Sequence, residues 1–436
     1  MRPTTSAPAR PEKRIASVDG IRGICALLLL ITHVAMVSGL IGTRETGVTT
    51  GPSHFLGGFF ASGLQIAAGV FFVLSGLYVY RPFARSVLTG EPAPDNRANF
   101  VRRAVRLLPA YYAMYVFVLL AMNLDDIDSV WYVLRPLLLL HIYDMEWMDG
   151  MEVTWTVPAM AQFYLLLPLL AWATRGWAAR GTTLRQRAHR LMLPVPFLIA
   201  TGFAWLFVVK AAGLSTRALF WWPMGLLPEI GIGMALGILL ALSKLSPADT
   251  PWLFRAAAAR PNLFLLGAVV TLLVNCARPF SQIGMDDIYT VEGLVFFYVI
   301  LAVFSVLLVA PLVAPGMRSR TVDAVMGNRP IVYLGRISYG VYLWHFAVMH
   351  IYLQSDTLFR GETAMILEIY GSVGFWELQL VTLAGSVLLA TISYYALERP
   401  LSAWTERRLA RRAARRPATV PAPAAPLVGA GDRPSS

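Results

Sequence analysis

Arg22 and His33 stand eleven residues apart at the head of an apolar run, GIRGICALLLLITHV, residues 20–34. On an α-helix that spacing is about three turns plus ~20°, so the two side chains share a face, with a rise of about 16 Å between them. That rise is roughly half of a ~30 Å hydrocarbon core, which puts His33 near mid-bilayer if Arg22 marks the boundary. An ionisable residue at that depth is costly to keep. A neutral imidazole there could take a proton from an attacking hydroxyl. Taken alone, the pair also fits a positively charged flank followed by a hydrogen-bonded packing histidine.

A second group lies in NFVRRAVRLLPAYYAMY, residues 99–115. Arg102, Arg103 and Arg106 are spaced to lie on one side of a helix entering a membrane, and Pro109, Tyr111 and Tyr112 follow. Arginines at a membrane boundary commonly set topology. Their forked guanidinium groups would also hold phosphates bidentately. Just before them, AAGVFFVLSGLYVYRP (67–82) carries Ser75-Gly76, which would allow close helix packing. His345, in YLWH, lies inside an apolar run, where it reads either as an interfacial anchor or as a second intramembrane functional group. Glu398-Arg399 reads as a structural ion pair at the last span boundary. His54, His141, His189 and His350 show no metal-ligand spacing, and an HExxH motif is absent.

What must position these residues follows from composition. The chain has 436 residues, 57% hydrophobic and only 14% charged, against nearer a quarter charged in soluble domains. The apolar residues come in long blocks, and ten of these are long enough to cross a bilayer: about 24–42, 58–80, 107–124, 157–174, 192–213, 225–243, 263–277, 291–315, 331–353 and 378–398. The seventh is short. WYVLRPLLLLHIY (131–143) is too short and Pro-interrupted, and reads as re-entrant or interfacial. Arginines crowd the N-terminal tail and the even-numbered loops, whereas the odd loops carry one each and the third is acidic. By the positive-inside rule this predicts an all-α integral membrane protein with about ten transmembrane helices and both termini cytoplasmic. The net charge of +12 is then a matter of topology, and no nucleic-acid partner is implied. The expected organisation is a cytoplasmic tail at 1–15, with the first run a retained signal anchor, and a membrane domain at 16–401. A basic helix and disordered tail follow at 402–436; RRLARRAARR (407–416) would lie on an anionic leaflet. Cys25 and Cys276 sit at apolar runs and imply no disulfide. The basic residues are nearly all Arg, with Lys only at 13, 210 and 244, the codon bias of a high-GC bacterium. Its plasma (inner) membrane is the expected location.

Six segments in order resemble acyltransferase family three, the integral membrane O-acyltransferases. They are VDGIRG with the Arg22-to-His33 spacing, GVFFVLSGL (69–77), VRRAVRLLPAYY (101–112), TWTVPAMAQFYLLLPLL (154–170), LGRISYGVYLWH (334–345) and SYYALERPL (393–401). The resemblance implies transfer of an acyl group, acetyl or another short acyl, from cytoplasmic acyl-CoA to a hydroxyl of a carbohydrate, glycolipid or secondary metabolite. Acyl-CoA is a co-substrate, with no bound cofactor. His33 would be catalytic, with Arg22, Arg102, Arg103 and Arg106 binding the acyl-CoA. Ser75, Tyr112, Trp155, Gln162, Tyr164, Glu229 and His345 are candidates for the substrate cavity. The chain departs from the family pattern at Met160, where a glutamate is usual after the Trp155-Thr156 pair. Methionine can neither accept a proton nor orient an imidazole, so another carboxylate, such as Glu229, would have to replace it, or activity is altered. No fused extracytoplasmic esterase-like segment is evident, so transfer would finish in the membrane or pass to a separate protein.

Two other classes fit the same features. A secondary transporter also has many spans, intramembrane ionisable groups and membrane Gly/Pro, but commonly shows an internal repeat, and none is evident. An inactive acyltransferase-like scaffold is suggested by Met160.

Overall fold

The computed structural model describes residues 16–41, 57, 60–61, 63–144, 148–215, 217–277, 290–354 and 372–414. The expected N-terminal tail at 1–15, residues 415–436 of the expected C-terminal segment at 402–436, and His54 lie outside the described residues. Within them the chain is all-helical and contains no strand. Each of the ten apolar runs corresponds to one long helix: α1 (Ala16–Val37), α2 (Ala67–Thr89), α3 (Asn96–Met122), α4 (Thr156–Ala179), α5 (Pro194–Ala211), α6 (Leu227–Leu245), α7 (Pro261–Ala277), α8 (Val291–Val313), α9 (Arg329–Leu353) and α10 (Phe375–Ser393). A basic helix, α11 (Arg399–Ala414), follows α10 through a π-helical turn, Tyr394–Glu398.

Among the described residues, eight helices are long and apolar enough to span a membrane. A ninth exists if the pair Trp252–Ala259 and Pro261–Ala277, bent by 97°, is one span. That bend accounts for the short seventh run. α9 is long enough at 25 residues but is not among the eight, because it carries Arg336, Ser338, His345 and His350. The stretch around 131–143 forms two short helices, Val130–Leu137 and His141–Asp144, separated by a turn in which Leu139 has φ 60°. It does not make a span.

Helix starts follow local chemistry. Asp95 caps α3 by accepting from the Ala98 amide at 3.0 Å, and Asn328 caps α9 by accepting from the Ile331 amide at 3.0 Å, with Pro330 in the first turn. α3 thus begins well before its apolar run, so Arg102, Arg103 and Arg106 lie on its first turns. α2 ends at Gly90 in the left-handed conformation, φ 75°.

Glycines set the closest helix approaches. A Cβ built on Gly335 would lie 1.7 Å from the Asp19 carbonyl oxygen, and one on Gly23 only 2.8 Å from the Gly335 nitrogen, so the backbones of α1 and α9 nearly touch. Gly76 and Gly233 play the same part between α2 and α6: a Cβ on Gly233 would be 2.1 Å from the Val73 carbonyl oxygen. This realises the close packing expected at Ser75-Gly76. Both cysteines are buried thiols, and Cys276 Sγ donates to the Phe60 carbonyl at 3.6 Å.

Candidate active site

The α1–α9 contact brings His33 and His345 together. His33 Nδ1 lies 2.8 Å from His345 Nε2, and the rings stack with centroids 4.9 Å apart and planes 19° from parallel. Phe346 closes one side, 5.1 Å from the His33 ring. His345 is 1% exposed, and its Nδ1 lies 2.6 Å from the Tyr342 carbonyl oxygen. A carbonyl can only accept, so His345 Nδ1 carries the hydrogen. With both rings neutral, His345 Nε2 then accepts from His33 Nδ1–H, and the lone pair of His33 falls on Nε2. The chain of donors thus runs from His33 through His345 to the backbone of α9, with no carboxylate in it.

The arginines divide. Arg103 donates to the Tyr78 carbonyl at 3.2 Å and lies over the Tyr164 ring, 5.0 Å from its centroid. Arg102 pairs with Glu406 of α11 at 2.8 Å, both side chains well exposed. Arg106 and Arg22 lie near Glu398, which is 7% exposed and set by the π-helical turn. The expected Glu398–Arg399 pair does not form, because Arg399 lies over the Tyr395 ring at 5.6 Å while Glu398 turns to these other arginines.

The remaining cavity candidates are dispersed. Tyr112 donates to the Leu137 carbonyl at 2.9 Å and so anchors the 130–137 helix to α3. Gln162 accepts from Tyr143 at 2.8 Å. Trp155 stacks on Phe72, with centroids 6.1 Å apart. Ser75 is half-buried on α2 beside Gly76. Glu229, 1% exposed in the first turn of α6, leaves Oε2 without a hydrogen bond, and no contact among the described residues ties it to the histidine pair. Met160 packs among apolar side chains of α3 and α4, so the family's glutamate position is filled here by apolar packing.

Spacing in sequence could not show a second cluster, in the turn between the 141–144 helix and α4. His350 is fully buried; its Nε2 is 2.7 Å from Glu152 Oε1 and its Nδ1 3.9 Å from Asp149 Oδ2. Burial pushes the Asp149 carboxyl up to about 6. Beside it, a cavity of about 20 Å³ is lined by Arg135, His141, Glu152, Trp155 and Trp221, room for about one water. Burial, then the charge of Arg135, pulls the His141 imidazole down to about 4.

A multi-pass helical bundle with a histidine pair buried between two glycine-packed helices defines the class. The family described as an acyltransferase domain matches residues 15–396, and the chain belongs to this family, acyltransferase family three. YrhL of Bacillus subtilis, provisionally named a peptidoglycan O-acetyltransferase, is 24% identical over 400 residues, covering 87% of this chain and 57% of its own. The peptidoglycan O-acetyltransferase OatA of Listeria monocytogenes is 22% identical over 412 residues, 89% of this chain and 56% of its own. Nodulation protein 10 of Rhizobium leguminosarum is 22% identical over 379 residues, 79% of this chain and 83% of its own. The chain therefore spans little more than half the length of the first two relatives. No solved structure matches it significantly.

Proposed function

We propose that the protein is a membrane O-acyltransferase that moves a short acyl group from acyl-CoA to a hydroxyl, with His33 as general base. The observation that carries this reading is the 2.8 Å contact between His33 and His345, itself tied to the Tyr342 carbonyl. It leaves the His33 Nε2 lone pair as the group that can receive a proton.

In the step this geometry supports, Nε2 takes the proton of the acceptor hydroxyl as its oxygen attacks the thioester carbonyl. The tetrahedral intermediate collapses with cleavage of the carbon–sulfur bond. The departing thiolate recovers the proton from His33, leaving ester and free CoA. His345 holds the ring in the tautomer that presents Nε2 and accepts a stronger hydrogen bond while His33 is an imidazolium, the part a carboxylate has in other base-orienting arrangements. This reading gives the substitution at Met160 a rationale, since the orienting partner comes from α9.

The charged end of the donor belongs with Arg22, Arg102, Arg103 and Arg106 at the inner end of the bundle, where both termini and the C-terminal basic helix would face the cytoplasm across about ten spans. Phosphates there and a reacting carbonyl roughly 16 Å deeper match the reach between Arg22 and His33 on one helix face. The acceptor class favoured by the relatives' names is a carbohydrate of the cell envelope.

Inverted membrane vesicles supplied with radiolabelled acyl-CoA test the reading. The wild type should transfer label to an acceptor and His33→Ala should not. Background labelling by both would mean an inactive scaffold, equal labelling above background would remove His33 as the base, and solute flux without acyl-CoA would mean a carrier.

A further inference from the structure

We propose that Asp149, Glu152 and His350 form a binding site for one divalent transition-metal ion of the zinc type, apart from the His33–His345 pair. One donor atom from each residue lies within 4.8 Å of the others. One imidazole with two carboxylates is a donor set suited to such ions, more than to the all-oxygen shells of magnesium and calcium.

The hydrogen-bonding pattern is incomplete without a further cation. Glu152 Oε2 is buried and makes no hydrogen bond, an arrangement that normally costs free energy; an ion held at His350 Nε2 would leave the ring hydrogen on Nδ1. Asp149 Oδ2, at 3.9 Å from Nδ1, is beyond hydrogen-bond reach. Even an imidazolium at His350 would leave two carboxylates against one positive charge, with Asp126 adding to the negative field at Asp149. Arg135, across the small cavity, faces Asp144 at 4.0 Å and the Tyr132 ring at 4.8 Å. A dication with a neutral His350 balances the two carboxylates.

The residues are also held in place before any ion arrives. Asn123 grips Asp149 on both sides, accepting from its amide at 3.0 Å and donating to its carbonyl at 3.1 Å. Gly150, with φ 82°, reverses the chain between the two acidic ligands. Tyr342 donates to the Val153 carbonyl at 2.9 Å, pinning the same turn to α9. Gln354, one turn beyond His350 and buried, stands beside the ring and leaves a fourth position to itself or to water. Tetrahedral coordination with bonds of about 2.1 Å separates donors by roughly 3.4 Å. The 2.7 Å contact of His350 with Glu152 therefore opens as the ion replaces the proton between them, and Asp149, the most exposed of the three, closes inward.

The test is metal binding, read independently of transfer, so its failure is separate from failure of the acyltransferase reading. Full-length protein in detergent is stripped with a chelator, then titrated with Zn²⁺ and, separately, with Co²⁺. The expected result is one zinc per chain by elemental analysis and a visible Co²⁺ band of a low-coordinate site. His350→Ala and Asp149→Asn should each weaken binding about 10-fold or more, and His33→Ala should leave it unchanged. Absence of stoichiometric zinc in the wild type, or equal affinity in Asp149→Asn, overturns the proposal and makes the cluster a proton-bridged clamp. Should His350→Ala elute as aggregate, Asp149→Asn carries the decision alone.

Discussion

His33 and His345 meet at 2.8 Å ten residues beyond the point where Gly23 and Gly335 meet on the same two helices. Both contacts have the same separation along the chain, 312 residues, so α1 and α9 run parallel in one unbroken register. The glycines of VDGIRG and LGRISYG are therefore part of what aligns the histidines.

Gly335→Ala should break that register. Its Cβ would fall 1.7 Å from the Asp19 carbonyl oxygen, a backbone atom that cannot rotate away. Overpacking of this kind costs about 1–3 kcal/mol. The expected outcome is a thermal midpoint lowered by several degrees and loss of most acyl transfer, from a residue far from the chemistry. A variant matching wild type in both would show that the two helices are not held by this contact.

If His345 orients His33, an acceptor at its position matters more than a ring. His345→Gln can present a carbonyl oxygen to His33 Nδ1–H, whereas His345→Phe cannot. The expectation is a kcat reduced about 10-fold in the first and about 100-fold or more in the second, with KM for acyl-CoA little changed in both. Steady-state kinetics decide it; a rise in KM alone would mean that His345 binds substrate instead.

Arg103, packed over Tyr164 and bonded to the Tyr78 carbonyl, is better fixed for a phosphate than Arg102, which is exposed and engaged by Glu406. Loss of one charge-assisted hydrogen bond of about 1.5–3 kcal/mol raises KM for acyl-CoA by roughly 10- to 100-fold. Arg103→Ala should show that rise with kcat retained, and Arg102→Ala a smaller one. Equal effects would point to a diffuse electrostatic field.

The apolar runs were legible as helices because run length is a local property, and each of the ten became one helix. Pairing was not: nothing local in IRGICALLLLITHV or VYLWHFAVMH says that these two segments touch. Polar residues inside apolar runs were also ambiguous. Tyr112 and Gln162 looked suited to a substrate cavity, yet each spends its hydrogen bond on the 130–144 segment. The partner that orients His345 is a main-chain carbonyl, which no side-chain pattern can reveal. Glu152 and His350 lie 198 residues apart, so the acidic turn read only as a topological signal. At Met160 the sequence raised the question of where an orienting group would come from, and in the proposed mechanism His345 takes that part through the non-local packing of α1 on α9.

His141 offers a pH test on the loop outside the spans. Its imidazole is neutral in the fold, lowered to about 4 by burial first and by Arg135 second, with Thr154 and Asp144 opposing. A base with a depressed folded pKa contributes stability that is present above its unfolded value of 6.5 and lost as pH falls from 6.5 toward about 4. The full difference amounts to roughly 3 kcal/mol. The wild type should therefore lose thermal stability progressively across that window, because the unfolded chain gains a proton that the folded chain refuses. His141→Gln keeps a hydrogen-bonding group opposite Thr154, which lies 3.2 Å from His141 Nε2, and cannot titrate. Its thermal midpoint should change distinctly less between pH 6.5 and pH 4 than that of the wild type. Parallel curves for the two proteins would place the acid sensitivity in other groups and remove His141 from the account.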